Sequence, residues 1–253
     1  MKLILSLILI LLFVSCKSDN VESHCYIAKS NDTYEYPIKP GVNEWAQLSS
    51  SEKNTACQIP DNTLKNISTE GLIESVLFNP LFAEIYLSNE HIQAGFNAFY
   101  ENFNGIRELL KRSDTVAKIL CRYLQMDPAC NKNNWPSLTG AGSNNNYAFS
   151  YIEIIIAQYP IVDQIVNSGK AKTVIQEILN KNEVKGKYCY SVVGLEHSSL
   201  IAGRIMYLCN YRPFIDEYNN DQNVRIFISG AMIVDITTLD VVTNCAKKFI
   251  IEK

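Results

Sequence analysis

Three stretches of this chain follow one plan: ESVLFNPLFAEIY (74–86), IIIAQYPIVDQIV (154–166) and IMYLCNYRPFIDEY (205–218). Each begins with an apolar run. An aromatic residue then stands one or two places before Pro80, Pro160 or Pro213, two apolar residues come after the proline, and an acid stands three or four places beyond it. A residue before proline is pushed out of the α region, so the first helix must stop. Proline itself is tolerated in the first turn of the next helix, where its missing N–H is not needed. An acid in that turn complements the helix dipole. The plan therefore predicts helices that are broken and restarted, each pair burying its apolar face against its neighbours. The prolines are unevenly spaced, so the expected fold is all-α, an irregular, helical-repeat-like stack of antiparallel helix pairs.

The rest of the chain agrees. Ser residues before Glu52 offer a helix cap, and that helix stops at Ile59-Pro60. Ser68 or Thr69 caps a helix through Leu72, Ile73, Val76 and Leu77. A stripe runs through His91, Ile92, Phe96, Phe99 and Phe103, and another through Ile106, Leu109 and Leu110. After Ser113 and Asp114, which suit a cap and a first-turn acid, Val116, Ile119, Leu120, Tyr123 and Leu124 form one buried helical face. Residues 131–146 (NKNNWPSLTGAGSNNN) break the pattern and mark a possible sub-boundary. In the tail, β-branched runs are compatible with strand. However, Leu239, Val242, Ala246 and Phe249 fall at helical spacing, and two short helices are favoured because an isolated hairpin is only marginally stable.

The N-terminus gives an address. Lys2 precedes a short apolar run from Leu3 to Val14, and small Ser15 precedes Cys16. The run is shorter than the ~20 residues a membrane-spanning helix needs, and it has the layout of a secretory leader. Residues 1–15 are therefore expected to be a lipoprotein signal peptide, with Cys16 the acylated N-terminus. Residues 16–42 are expected to be a polar tether, and 43–253 a helical domain. With 23 basic against 26 acidic residues there is no cationic surplus to draw a nucleic acid or to add membrane attraction. Acyl chains alone would hold the protein to its membrane.

Seven further cysteines remain, an odd number. Cys57, Cys121, Cys209 and Cys245 lie in apolar-periodic stretches and are expected to be buried thiols. Should a bridge form, Cys121 to Cys130, folding back around Pro128, is the favoured pair.

Several short patterns stand out together: WAQL from Trp45, ACQIP from Ala56, LKNIST from Leu64, Asn79-Pro80, GFN from Gly95, Phe103-Asn104 and LLKRSD from Leu109. With the Cys16 lipobox, in which Phe13 stands where Leu is usual, this set resembles uncharacterised α-helical lipoproteins of Bacteroidetes over residues 43–126. The resemblance implies a helical fold and an envelope address, and it carries no activity. CKSDN after the lipobox resembles the acidic export tag of surface lipoproteins in that phylum, with one acid. The implied location is the outer membrane, facing the periplasm or the cell surface.

Catalytic signatures are missing. His24, His91 and His197 show no metal-ligand spacing and no C-x-x-C occurs, so neither metal nor cofactor is expected. SGKAKT (168–173) fails as a phosphate loop, with Gln164 where glycine is required. Glu196-His197-Ser198 are adjacent and so point apart, unlike a triad assembled from distant segments. Glu108, Lys111, Arg112 and Asp114 read as a solvated helix face. One candidate binding residue remains: Trp135, which either anchors a partner or folds back onto the domain. The expected function is a non-enzymatic binding or scaffolding lipoprotein for a protein or glycan. The alternative is an envelope hydrolase with a site assembled from scattered residues.

Overall fold

The computed structural model describes residues 30–129, 146–187, 192–232 and 235–252. Among these there are fourteen α-helices, one 3-10 helix and no strand, so the all-α expectation holds. The helices are α1 (Asn43–Gln47), α2 (Ser50–Ala56), α3 (Asp61–Asn66), α4 (Thr69–Leu77), α5 (Ile92–Asn102), α6 (Asn104–Leu109) and α7 (Thr115–Leu124). The second half contains α8 (Asn146–Ile156), α9 (Tyr159–Asn167), α10 (Ala171–Lys187), α11 (Val192–Leu208), α12 (Arg212–Asn220), α13 (Gln222–Gly230) and α14 (Thr237–Glu252). The 3-10 helix, Phe82–Leu87, lies between α4 and α5.

Local chemistry explains most boundaries. Ser49 and Glu52 close a capping box at α2, and the Ser68 hydroxyl accepts from Gly71 N–H at α4. The His91 imidazole caps α5 by accepting from Ala94 N–H. Two of the proline breaks are as expected, with Pro160 and Pro213 in the first turns of α9 and α12. Helix α11 ends in a Schellman turn in which Asn210 takes φ +48° and Tyr211 N–H reaches back to the Met206 carbonyl. The SGK sequence has a similar task at the end of α9. There Gly169 has φ +72°, and Lys170 N–H bonds the Ile165 carbonyl. After Pro80 the chain differs from the expectation. The Asn79 side chain accepts from Leu81 N–H, and the next element is the 3-10 helix, not a second α-helix.

Two other expectations change. The cap of α7 is Asp114, whose carboxylate accepts from Thr69 Oγ1 without bonding its own helix. Arg112 is no solvated charge: it donates to the Leu64 and Ile67 carbonyls and to Glu108, tying α3 and α4 to the end of α6. The tail forms α13 and α14, as favoured over strand.

Helix α11 is the axis of the second half. Residues 200 to 206 are buried without a break, and α8, α9, α10, α12, α13 and α14 all pack on it. Helices α10 and α11 run antiparallel, paired through Asn182–Ser198 and Lys185–Gly194. In the first half, Glu70–Lys118 and Glu74–Arg122 align α4 with α7 in parallel, as in alternate helices of a stack. The α7 stripe is buried from Val116 to Tyr123, with Leu120 9 % exposed, whereas Leu124 at the helix end lies in solvent. Leu120→Ala is expected to lower unfolding free energy by about 2–3 kcal/mol in chemical denaturation.

The packed domain begins before α1. Tyr36 is buried and donates its hydroxyl to the Ser75 carbonyl, and Tyr34 N–H donates to the Ser75 hydroxyl. The Asp32 carboxylate accepts from Ser68 N–H and Oγ. Residues that composition placed in the tether therefore lie on α4.

Candidate functional site

Neither residue named from the sequence can be placed: Cys16 and Trp135 lie outside the described residues, as does the loop 131–145. Cys121 is disulfide-bonded. Cys57, Cys209 and Cys245 are free, so the partner of Cys121 lies outside the described residues, as the expected Cys130 does. The thiols of Cys57 and Cys245 are buried as expected, whereas Cys209 is only partly covered.

The chain builds a different site, a cleft in the first half. Its first wall starts where α2 ends. Both donors of the Gln58 amide are used, on the Asn54 carbonyl at 2.7 Å and the Asn102 carbonyl at 2.8 Å. Gln58 Oε1 accepts from Asn104 N–H at 3.0 Å, while Asn104 exchanges two hydrogen bonds with the Ile59 backbone, at 3.0 and 2.7 Å. This reciprocal stitch holds the end of α2 against the α5–α6 corner. Its residues belong to the ACQIP and Phe103-Asn104 patterns, which the sequence marked without revealing their contact.

The second wall is the 3-10 helix. Phe82 and Ile85 point into the core, and Glu84 and Leu87 stand outward. The third is α5, whose small residues Ala94, Gly95 and Ala98 let backbone meet backbone. A Cβ at Gly95 would run into the Ile85 carbonyl. Gly95→Ala is therefore expected to push the 3-10 helix away, lowering stability by about 1–3 kcal/mol in thermal or chemical unfolding. The cleft, open to solvent on one side, has a volume of about 370 Å³, in the range of small-ligand sites. Leu81, Ile85, Phe99 and Phe103 make an apolar floor, and Asn54, Glu84, Ser88 and Asn102 lie nearer the mouth.

The lining contains one carboxylate, Glu84, and one thiol, Cys57. Burial, with Glu84 adding to it, pushes the Cys57 thiol up to about 12. At neutral pH it is a protonated, poor nucleophile. No histidine lines the cleft. The arrangement suits holding a ligand better than transforming one.

Two clusters of ionisable groups lie elsewhere, each centred on buried charges. Glu153 on α8 meets Lys185 on α10 at 2.6 Å, both with no exposed side-chain surface, and Tyr123 donates to the same carboxylate oxygen at 2.8 Å. Lys185 also donates to the Gly194 carbonyl and lies over the Phe149 ring. Burial drives the Glu153 carboxyl up and the Lys185 ammonium down, each opposed by the attraction between them.

Arg204 on α11 is also fully buried. Its guanidinium donates to the carbonyls of Ile228 (2.9 Å) and Ala157 (2.7 Å) and to Gln93 Oε1 (2.9 Å), and lies 4.7 Å from the Tyr159 ring. No carboxylate pairs with it among the described residues. Carbonyls at the ends of α8 and α13 serve instead, the negative ends of two helix dipoles. Burial lowers its pKa to about 10. With Glu153, Lys185 and Arg204 fully buried, both clusters act as internal joints.

Glu196, His197 and Ser198 all lie buried along α11 and form no triad. Ser198 donates to Asn182, and the His197 ring stands edge-on to Tyr86 at 5.6 Å. Among the described residues no His, Cys, Asp and Glu group could hold a metal, and no helix is long and apolar enough to cross a membrane. Compared with known proteins, the chain matches no family model, no curated protein and no solved structure.

Proposed function

We propose that this chain is an envelope lipoprotein, anchored through Cys16, whose helical domain binds a protein or glycan partner without transforming it. The observation that carries the proposal is the cleft between α2, the 3-10 helix and α5, open on one side, with an apolar floor, hydrogen-bonding groups at the mouth and a thiol held protonated. The leader and Cys16 support the address. The disulfide at Cys121 fits a compartment outside the cytosol. Beside Glu84 the lining offers the protonated Cys57 thiol and the Ser88 hydroxyl, with no histidine to activate either.

Two measurements test the two halves of the proposal. Labelled palmitate should enter the wild-type chain and not Cys16→Ala, and Cys16→Ala should leave the membrane fraction, since no other segment would hold it there. Incorporation that survives the substitution would refute the anchor. Ala98→Trp, which fills the cleft from its exposed side, should abolish capture of envelope partners while moving stability by no more than ~0.5 kcal/mol. Capture unchanged by that substitution would remove the cleft from the function.

A further inference from the structure

We infer that the cleft takes a primary alkylammonium group, its methylene stem lying on the apolar floor and its ammonium among the acceptors at the mouth. This rests on the cleft being the binding site and goes further, to the chemistry of the ligand. Several of the hydrogen-bonding groups of the lining are already spent. Both donors of the Gln58 amide go to the Asn54 and Asn102 carbonyls. The Asn79 amide donates to Tyr36 Oη and the Cys57 carbonyl, both at 3.3 Å, and Asn102 donates to the Ala98 carbonyl. Gln58 and Asn79 thus spend their amide donors on the fold itself. Outward the lining keeps the neutral side chains of Asn54, Ser88 and Asn102 and a single charge, the Glu84 carboxylate. An ammonium has three donors and no acceptor, which suits a carboxylate beside amide and hydroxyl oxygens.

Charge points the same way. The Glu84 carboxylate forms no ion pair or hydrogen bond among the described residues. Two cations on the elements around the cleft are engaged elsewhere: Lys53 on α2 lies 5.3 Å over the Trp45 ring, and Arg107 on α6 donates to the Tyr100 and Glu101 carbonyls. Neither lines the cleft. A four-carbon stem such as that of lysine buries its methylenes on apolar surface while its charged end stays at a polar rim. The floor of Ile85, Phe99 and Phe103 below Glu84 supplies such a surface.

The chemistry has two sources, a free diamine or a lysine side chain of a protein. The test titrates the full chain, ¹⁵N-labelled and in detergent, with 1,5-diaminopentane, Nα-acetyl-lysine methylamide and uncharged 1-pentanol, tracking the amide resonances of Ala94, Gly95 and Ala98. Both amines should shift these resonances saturably, pentanol at least tenfold more weakly. Glu84→Gln should weaken amine binding at least tenfold, while Glu90→Gln, an acid outside the cleft, should leave it unchanged. The tighter of the two amines identifies the source. Pentanol binding as well as the amines, or Glu84→Gln binding them unchanged, would overturn the ligand class and leave the cleft as a binding site. If no probe shifts these resonances the inference falls. If Ala98→Trp also leaves partner capture intact, the binding proposal falls with it.

Discussion

Arg204→Met is expected to lower unfolding free energy by about 3–5 kcal/mol, among the largest effects of any single change in this protein. The reason is not the loss of an ion pair, since Arg204 forms none among the described residues. Methionine fills much of the same space, but it leaves the Ala157 and Ile228 carbonyls and the Gln93 side-chain oxygen facing an apolar group. Each buried acceptor without a donor costs about 1–3 kcal/mol. Arg204→Lys keeps the charge and should still lose about 2 kcal/mol or more, because a single ammonium cannot span acceptors on three elements. The burial cost already present in the wild type persists at every pH below about 10, where the guanidinium is charged in the folded state. Guanidinium chloride unfolding of the three proteins checks the order. A methionine variant within 1 kcal/mol of wild type would mean that water or a repacked neighbour satisfies the carbonyls.

Lys185→Met is the second large case, again about 3–5 kcal/mol, because it strands the Glu153 carboxylate inside the protein. Here pH gives a signature. Burial already raises the Glu153 carboxyl, and removing Lys185 takes away the main attraction that opposes the rise. A carboxyl whose folded pKa is raised binds its proton more tightly folded than unfolded, so stability increases as pH falls through the folded value. The deficit of Lys185→Met should therefore shrink as pH falls from neutral toward the ordinary carboxylate range, as Glu153 takes a proton. Adding Glu153→Leu and Tyr123→Phe should recover at least ~1 kcal/mol relative to the sum of the single effects, since the three groups act together. A deficit independent of pH would show that Glu153 is not the source of the loss.

Sequence range separates the legible parts of the fold from the hidden ones. Features decided within four residues were legible: the Ser49–Glu52 capping box, the Ser68 cap, the breaks at Pro160 and Pro213, and the α7 stripe up to Tyr123. The Pro80 break was not fully legible. The element after it is a 3-10 helix whose Ile85 carbonyl meets α5 at Gly95, a tertiary contact between separate elements. Arg112 and Asp114 looked like a wet helix face because their spacing is that of one. Their true partners, Leu64, Ile67 and Thr69, are more than forty residues away. The internal joints were hidden for the same reason, since Gln93 and Arg204 are 111 residues apart. The cleft is an intermediate case. Gln58 and Asn104 were marked as pattern residues, but only the folded chain shows that they bind each other and so close a wall.

The attachment of Asp32, Tyr34 and Tyr36 to α4 sets a mechanical limit on a chain held at Cys16. Slack can exist only upstream of Asp32, where the hydrogen bonds to Ser68 begin. Those sixteen residues, drawn straight at ~3.3–3.6 Å each, reach roughly 55 Å. At full extension a pull on the domain would be delivered to Asp32 and Tyr36, hence to Ser68 and Ser75 at α4, and through the Tyr36 hydroxyl to Asn79 in the lining of the cleft.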